Sequence, residues 1–251
     1  TFCCGGAGIA FFLAELAAVV RARIPTFAGE LTNAAQRGAR HVLSMGLEQN
    51  GTLLIPHEEE GPGRHMYYLG WCGGPVGWSR LFVSLWRATG DSAWLRLLQA
   101  SARAAVELVT PQLSMLFPAR DGSPPWANLG QCCGAAGVGT FLLQLASAQD
   151  LPLDDEICQA ARVAALRIAA AIGARAVSTG AHRQGIAFPS PEEHDAPTDT
   201  RWQAGWMQGA AGVASFLLDA HATEAGQPST RLRWPDEPPW GPRLPSVVAV
   251  V

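Results

Sequence analysis

Not one lysine occurs in the chain; all eighteen of its basic residues are arginine. With 21 acidic residues the formal net charge is −3, and no basic stripe runs along the sequence, so nucleic acid is not an expected partner. Charge of either sign is scarce, at 16%, while 48% of the residues are hydrophobic and nine are tryptophan, so the 251 residues can bury a sizeable core. Long apolar runs are missing as well. The opening "IAFFLAELAAVV" is interrupted by Glu15 and falls short of the ~18–20 residues that a membrane span requires. It also lacks the basic leader and cleavage site of a secretory signal. Arginine in place of lysine, together with abundant alanine, points to a GC-rich bacterial source and says nothing about chemistry.

Cysteine is sparse and oddly placed. Of six, four form two adjacent pairs, Cys3-Cys4 and Cys132-Cys133, and neighbouring cysteines bridge each other only with strain. That is not the dispersed spacing of a secreted disulfide scaffold, so a reducing, cytoplasmic setting with metal-type usage is expected.

What the chain does contain is a repeat. Four stretches share one frame: Cys3-Cys4-Gly5-Gly6-Ala7-Gly8, Cys72-Gly73-Gly74-Pro75-Val76-Gly77, Cys132-Cys133-Gly134-Ala135-Ala136-Gly137 and Met207-Gln208-Gly209-Ala210-Ala211-Gly212. Each has glycine at its third and sixth positions and runs into an apolar helical segment: "IAFFLAEL", "WSRLFVSLW", "VGTFLLQL" and "VASFLLDA". Successive frames are 69, 60 and 75 residues apart, room for two helices and their connections. Second helices are predicted over Leu31–Met45, Ser92–Val109 and Asp154–Ile172, with a stop at Gly90 and a restart capped by Asp91 or Ser92. No convincing alternating strands are visible. The fold class read from this pattern is all-α, a set of helical hairpins whose glycine-marked starts converge, forming an α/α toroid. The glycines are expected to allow close backbone approach and positive φ. Four hairpins are fewer than such a ring usually holds, so the expectation is that further ones precede Thr1. Residues 1–240 form the expected domain and 241–251 a tail outside the pattern.

The chemistry concentrates in the frames. Cys72, Cys132 and Cys133 hold equivalent positions, so convergent helices bring their thiols together. Thiolates are favoured near helix N-termini and are the form that binds zinc; three of them leave a fourth tetrahedral position open. The alternatives are thiols packed as small hydrophobes, the reading preferred for Cys158, and vicinal redox chemistry.

These residues resemble the lanthionine synthetase C-like family. The resemblance rests on "GWCGGPVG", "GQCCGAAG", "GWMQGAAG" and the late "WPDEPPW", which follow the order of the family's Trp-Cys motif, Cys-His-Gly motif, last glycine repeat and Pro-Asp signature. It implies an α/α toroid with a central zinc held by Cys72, Cys132 and Cys133, the last standing where many members have histidine. It also implies addition of a peptide cysteine thiol to dehydroalanine or dehydrobutyrine, forming a thioether ring. The partners implied are a dehydrated cysteine-containing peptide and the dehydratase that prepares it.

Three positions depart from the family pattern. Cys4 stands where cyclising members carry a histidine. Gly73 stands where His or Tyr commonly follows the Trp-Cys cysteine. Tyr68 stands where an arginine is found. Candidate replacements for the missing acid and base are His65, Arg64 and Tyr68, from the loop "GRHMYYLGWC", while Cys4 is either a fourth thiolate close to the metal or a packed thiol. His194 and Glu192 read as solvated loop. Two other functions remain in play. One is a non-catalytic zinc toroid that binds peptide or a protein partner. The other is a carbohydrate-cleaving α/α barrel, disfavoured because no paired carboxylates occupy the frame positions.

Overall fold

The computed structural model describes residues 1–114, 128–179, 185–188, 190–191 and 200–227. Seven α-helices dominate them: α1 (Gly6–Val20), α2 (Pro25–Ser44), α3 (Pro75–Thr89), α4 (Ala93–Ser114), α5 (Ala135–Ser147), α6 (Asp155–Gly173) and α7 (Ala210–Glu224). The all-α expectation holds. None of these helices is long and apolar enough to cross a membrane. The tail 241–251, His194, Glu192 and "WPDEPPW" lie outside the described residues.

Every frame starts a helix. In α1, α3, α5 and α7 the residue before the first helical turn is the frame's third-position glycine, with nearly the same extended backbone each time: φ −137, −126, −110 and −123°. None of these glycines has positive φ, so that part of the expectation is corrected. Their role is close approach. A Cβ added at Gly8, Gly77, Gly137 or Gly212 would lie 2.0–2.1 Å from the carbonyl oxygen six residues earlier, on Phe2, Trp71, Gln131 and Trp206 respectively. Any side chain there would push the loop off the helix.

That loop in turn caps the helix. The amides of Ala135, Ala136 and Gly137 donate to the carbonyls of Asn128, Leu129 and Gly130, and those of Ala210 and Ala211 donate to Gln203 and Ala204. The amides that a helix start usually leaves open are therefore used by the chain's own backbone.

The helices form two rows. Frame helices pack in chain order, α1 on α3, α3 on α5 and α5 on α7, while α2, α4 and α6 back their own hairpin partners. Trp78, Phe82, Leu129, Leu142, Ile168 and Phe216 fill the shared core. Gly139 belongs to this packing, because a Cβ there would meet the Phe216 ring at 2.2 Å. The stop at Gly90 is observed, with φ 70°, and the Asp91 carboxylate rather than Ser92 accepts the Ala93 amide at 2.9 Å. Helix α2 begins six residues before its predicted start, at Pro25, a residue suited to a first helical position.

Short strands interrupt the linkers. β1 (Leu47–Gln49) pairs antiparallel with β2 (Thr52–Leu54) around Asn50-Gly51, both at positive φ, as a two-residue hairpin turn of the primed type demands. β3 (Val177–Thr179) pairs with β4 (Gly185–Ala187), and β5 (Ser190–Pro191) with β6 (Thr200–Arg201).

Candidate metal centre

The four frames meet edge to edge through one ladder of backbone hydrogen bonds at their first positions. Cys3 N–H donates to the Cys72 carbonyl at 3.2 Å, Cys72 N–H to Cys132 at 3.3 Å and Cys132 N–H to Met207 at 2.9 Å. Glycines two residues ahead of the second and third frames make this approach possible. A Cβ at Gly70 would meet the Cys133 Cα at 2.7 Å, and one at Gly130 the Met207 carbonyl at 2.6 Å.

Two neighbouring steps of the ladder carry cysteine, and their thiols converge. Cys72 Sγ lies 2.9 Å from Cys133 Sγ, Cys132 Sγ lies 3.5 Å from Cys133 Sγ, and all three sulfurs fall within 4.8 Å of one another. All three residues are half-buried. Tetrahedral zinc with ~2.3 Å bonds spaces its sulfurs about 3.8 Å apart, within the 4.8 Å that bounds all three. The donors are soft thiolates of the kind that select zinc over hard cations. The trio fits such an ion.

Electrostatically the three thiols bias one another in opposite directions. Cys133 is held well below the ordinary thiol range because Cys132 and Cys72 hydrogen-bond to it, against the opposing effect of burial, with help from Gln208 and the nearby His57. Cys72 is pushed up, first by its hydrogen bonds to Cys132 and Cys133 and then by burial. Cys132 is also pushed up, chiefly by its hydrogen bond to Cys133. The sequence expectation that helix starts would favour all three thiolates is thus refined. The first-turn amides are occupied by loop carbonyls, and side chains select Cys133. Gln208, at the second position of the fourth frame, is oriented by a neighbouring side chain. Its carbonyl accepts from Asn128 Nδ2 at 3.3 Å, which leaves its amide for Cys133.

The other expected site residues divide. Tyr68 is brought in; burial and then the charges of Cys72 and Cys133 push its hydroxyl pKa up. His65 is not. It is exposed at the end of a 3-10 turn (Pro62–His65), beside exposed Arg64. Cys4 is exposed too, and its sulfur sits 3.2 Å from Cys3 Sγ. The Cys3 thiol is raised to about 11 by burial, by Cys4 and by Cys133, so the first pair lies within electrostatic reach of the trio. The sequence reading missed Gln208 and His57. Gln208 could have been found, because it shares Cys133's place in the frame. His57 carried no spacing signal.

No protein-family model, curated protein or solved structure matches the chain. The family resemblance therefore rests on the motifs themselves.

Proposed function

We propose that the protein is a zinc-dependent thioether-forming enzyme of the lanthionine synthetase C type. Its frame helices would be part of an α/α toroid around the Cys72–Cys132–Cys133 centre. The observation that carries this reading is the convergence, within 4.8 Å, of three thiols from two successive frames. A bound zinc would lower the pKa of a peptide thiol taking the fourth position and turn it into a nucleophile at neutral pH. Three thiolates leave more electron density on that sulfur than two thiolates and a histidine would.

The chain's own residues hold and tune the centre. Cys72 anchors it from the second frame, and Cys132 and Cys133 from the third. Gln208 stabilises the Cys133 thiolate, and Tyr68 stands beside them. The substrate is a peptide carrying cysteine and dehydroalanine or dehydrobutyrine, supplied by a dehydratase in a bacterial cytoplasm.

The test has two steps. Purified protein should contain about one zinc per chain, lost when Cys72, Cys132 and Cys133 are replaced by alanine. The loaded protein should then consume the free thiol of a dehydrated cysteine-containing peptide and yield a product of unchanged mass. A stable protein that takes up no metal would overturn the centre. Full loading with no loss of thiol would leave the second reading, a toroid that binds peptide or a protein partner without catalysis, which the exposure of His65 and Cys4 favours.

A further inference from the structure

The trio is half-buried, and a metal centre needs a path by which the ion enters. The exposed pair Cys3-Cys4 stands at the next step of the same ladder. Two amides hold it there, since Phe2 and Cys3 both donate to the Cys72 carbonyl, at 2.8 and 3.2 Å. The buried Phe2 ring fixes the strip further. It packs edge-on against Trp71, with centroids 5.4 Å apart, and against Phe11 at 5.3 Å. Gly77 makes room for it, because a Cβ there would meet Phe2 Cβ at 2.6 Å. Three successive steps, Cys3, Cys72 and Cys132, therefore carry thiols, the first exposed and the other two half-buried. The sulfurs of Cys3 and Cys4 lie 3.2 Å apart, so one soft cation can bridge them. The charge of Cys133 raises the Cys3 thiol, and that of Cys3 raises Cys132, so the two groups sense each other. Among the described residues, however, the cluster that could hold an ion comprises the trio alone.

We propose that Cys3-Cys4 is the entry site of the zinc centre, an exposed dithiol that captures the ion and hands it to Cys72, Cys132 and Cys133. This rests on the zinc centre read above and not on the thioether chemistry. The transfer is ligand exchange: bonds from zinc to the pair's two sulfurs break as bonds to the three sulfurs of the centre form. Protons leave the centre's thiols as they bind and return to Cys3 and Cys4 as these let go, any excess passing to water. Nothing is oxidised or reduced. Because the pair holds the ion only in passage, it changes the rates of entry and exit by one factor and leaves the equilibrium alone.

The test follows zinc exchange in the full chain by stopped flow. A chromophoric chelator serves first as donor to the metal-free protein and then as acceptor from the loaded one. Cys3→Ala and Cys4→Ala together should slow both directions about tenfold or more and leave the dissociation constant within about threefold. Both residues are exposed, so the unfolding midpoint should stay where it is. A merely structural role would act in the opposite sense, since loosening this edge would open the centre and speed exchange. Unchanged or faster exchange in the double variant overturns the proposal. So does weaker equilibrium binding with only the exit rate altered, which would make the pair resident ligands. A wild-type protein that takes up no zinc overturns the centre and the entry path with it. Slowed exchange in a protein that forms no thioether supports the entry path and counts only against the reading of function.

Discussion

Cys3-Cys4 and Cys132-Cys133 are the same dipeptide in the same frame, each followed by a glycine and an apolar helix, yet they sit in different chemistry. The first pair is exposed, its two sulfurs 3.2 Å apart, and its neighbour along the ladder offers Cys72 followed by Gly73. The second is half-buried between two neighbours. Cys72 reaches it from one side, and the Gln208 amide reaches Cys133 from the other. A vicinal cysteine pair is thus not a metal centre by itself. What makes one is the residue that each adjoining repeat places against it.

Four measurements can break or sharpen this contrast. The largest effect is expected for the centre itself: Cys133→Ala should weaken zinc binding roughly 100-fold or more, while Cys4→Ala, its equivalent in the first frame, should leave it within about threefold, as read by chelator competition. Equal losses would erase the distinction between the pairs. Next comes the shared backbone beneath both. Gly8→Ala and Gly137→Ala each drive a Cβ to 2.0 Å from a carbonyl oxygen, so each should cost ~3 kcal/mol in urea unfolding. Gly29→Ala, mid-helix with no atom within 4 Å of its Cβ, should gain ~0.5–1 kcal/mol. A smaller change is expected for Gln208→Ala, about tenfold in zinc affinity with little loss of stability, because it removes a donor to a ligand and not a ligand. The smallest concerns Cys158, whose thiol is raised by burial and by Asp155 and Asp154. A raised pKa means less thiolate at any given pH, so its alkylation should lag behind that of an ordinary thiol at pH 8 and catch up only at higher pH.

The helices and their glycine frames were legible because one short pattern recurs and is followed each time by an apolar segment. Convergence of Cys72, Cys132 and Cys133 followed from the same register. The physical reason for the glycines was misassigned in part. Sequence alone does not distinguish a glycine that needs positive φ from one that must clear a carbonyl, and Gly137 is of the second kind. The Asn50-Gly51 hairpin was a readable turn signal overlooked beside the stronger helical ones. Pro25 likewise marked a helix start ahead of the periodic residues. His57 could not be read, because its place depends on how a loop folds back over Gly73. His65 lies closer to the motif in sequence and is exposed at the end of its 3-10 turn.

The placement of the three thiols also bears on how the chain holds together. Cys72 and Cys133 are 61 residues apart and belong to different hairpins, which otherwise meet at that edge through single backbone hydrogen bonds. An ion gripping both would act as a removable clasp on that long loop. By the entropy of loop closure, a cross-link of this span is worth about 4 kcal/mol against the unfolded chain. Metal loading would then add to the hold that the shared core has on the second and third hairpins, quite apart from any reaction carried out between them.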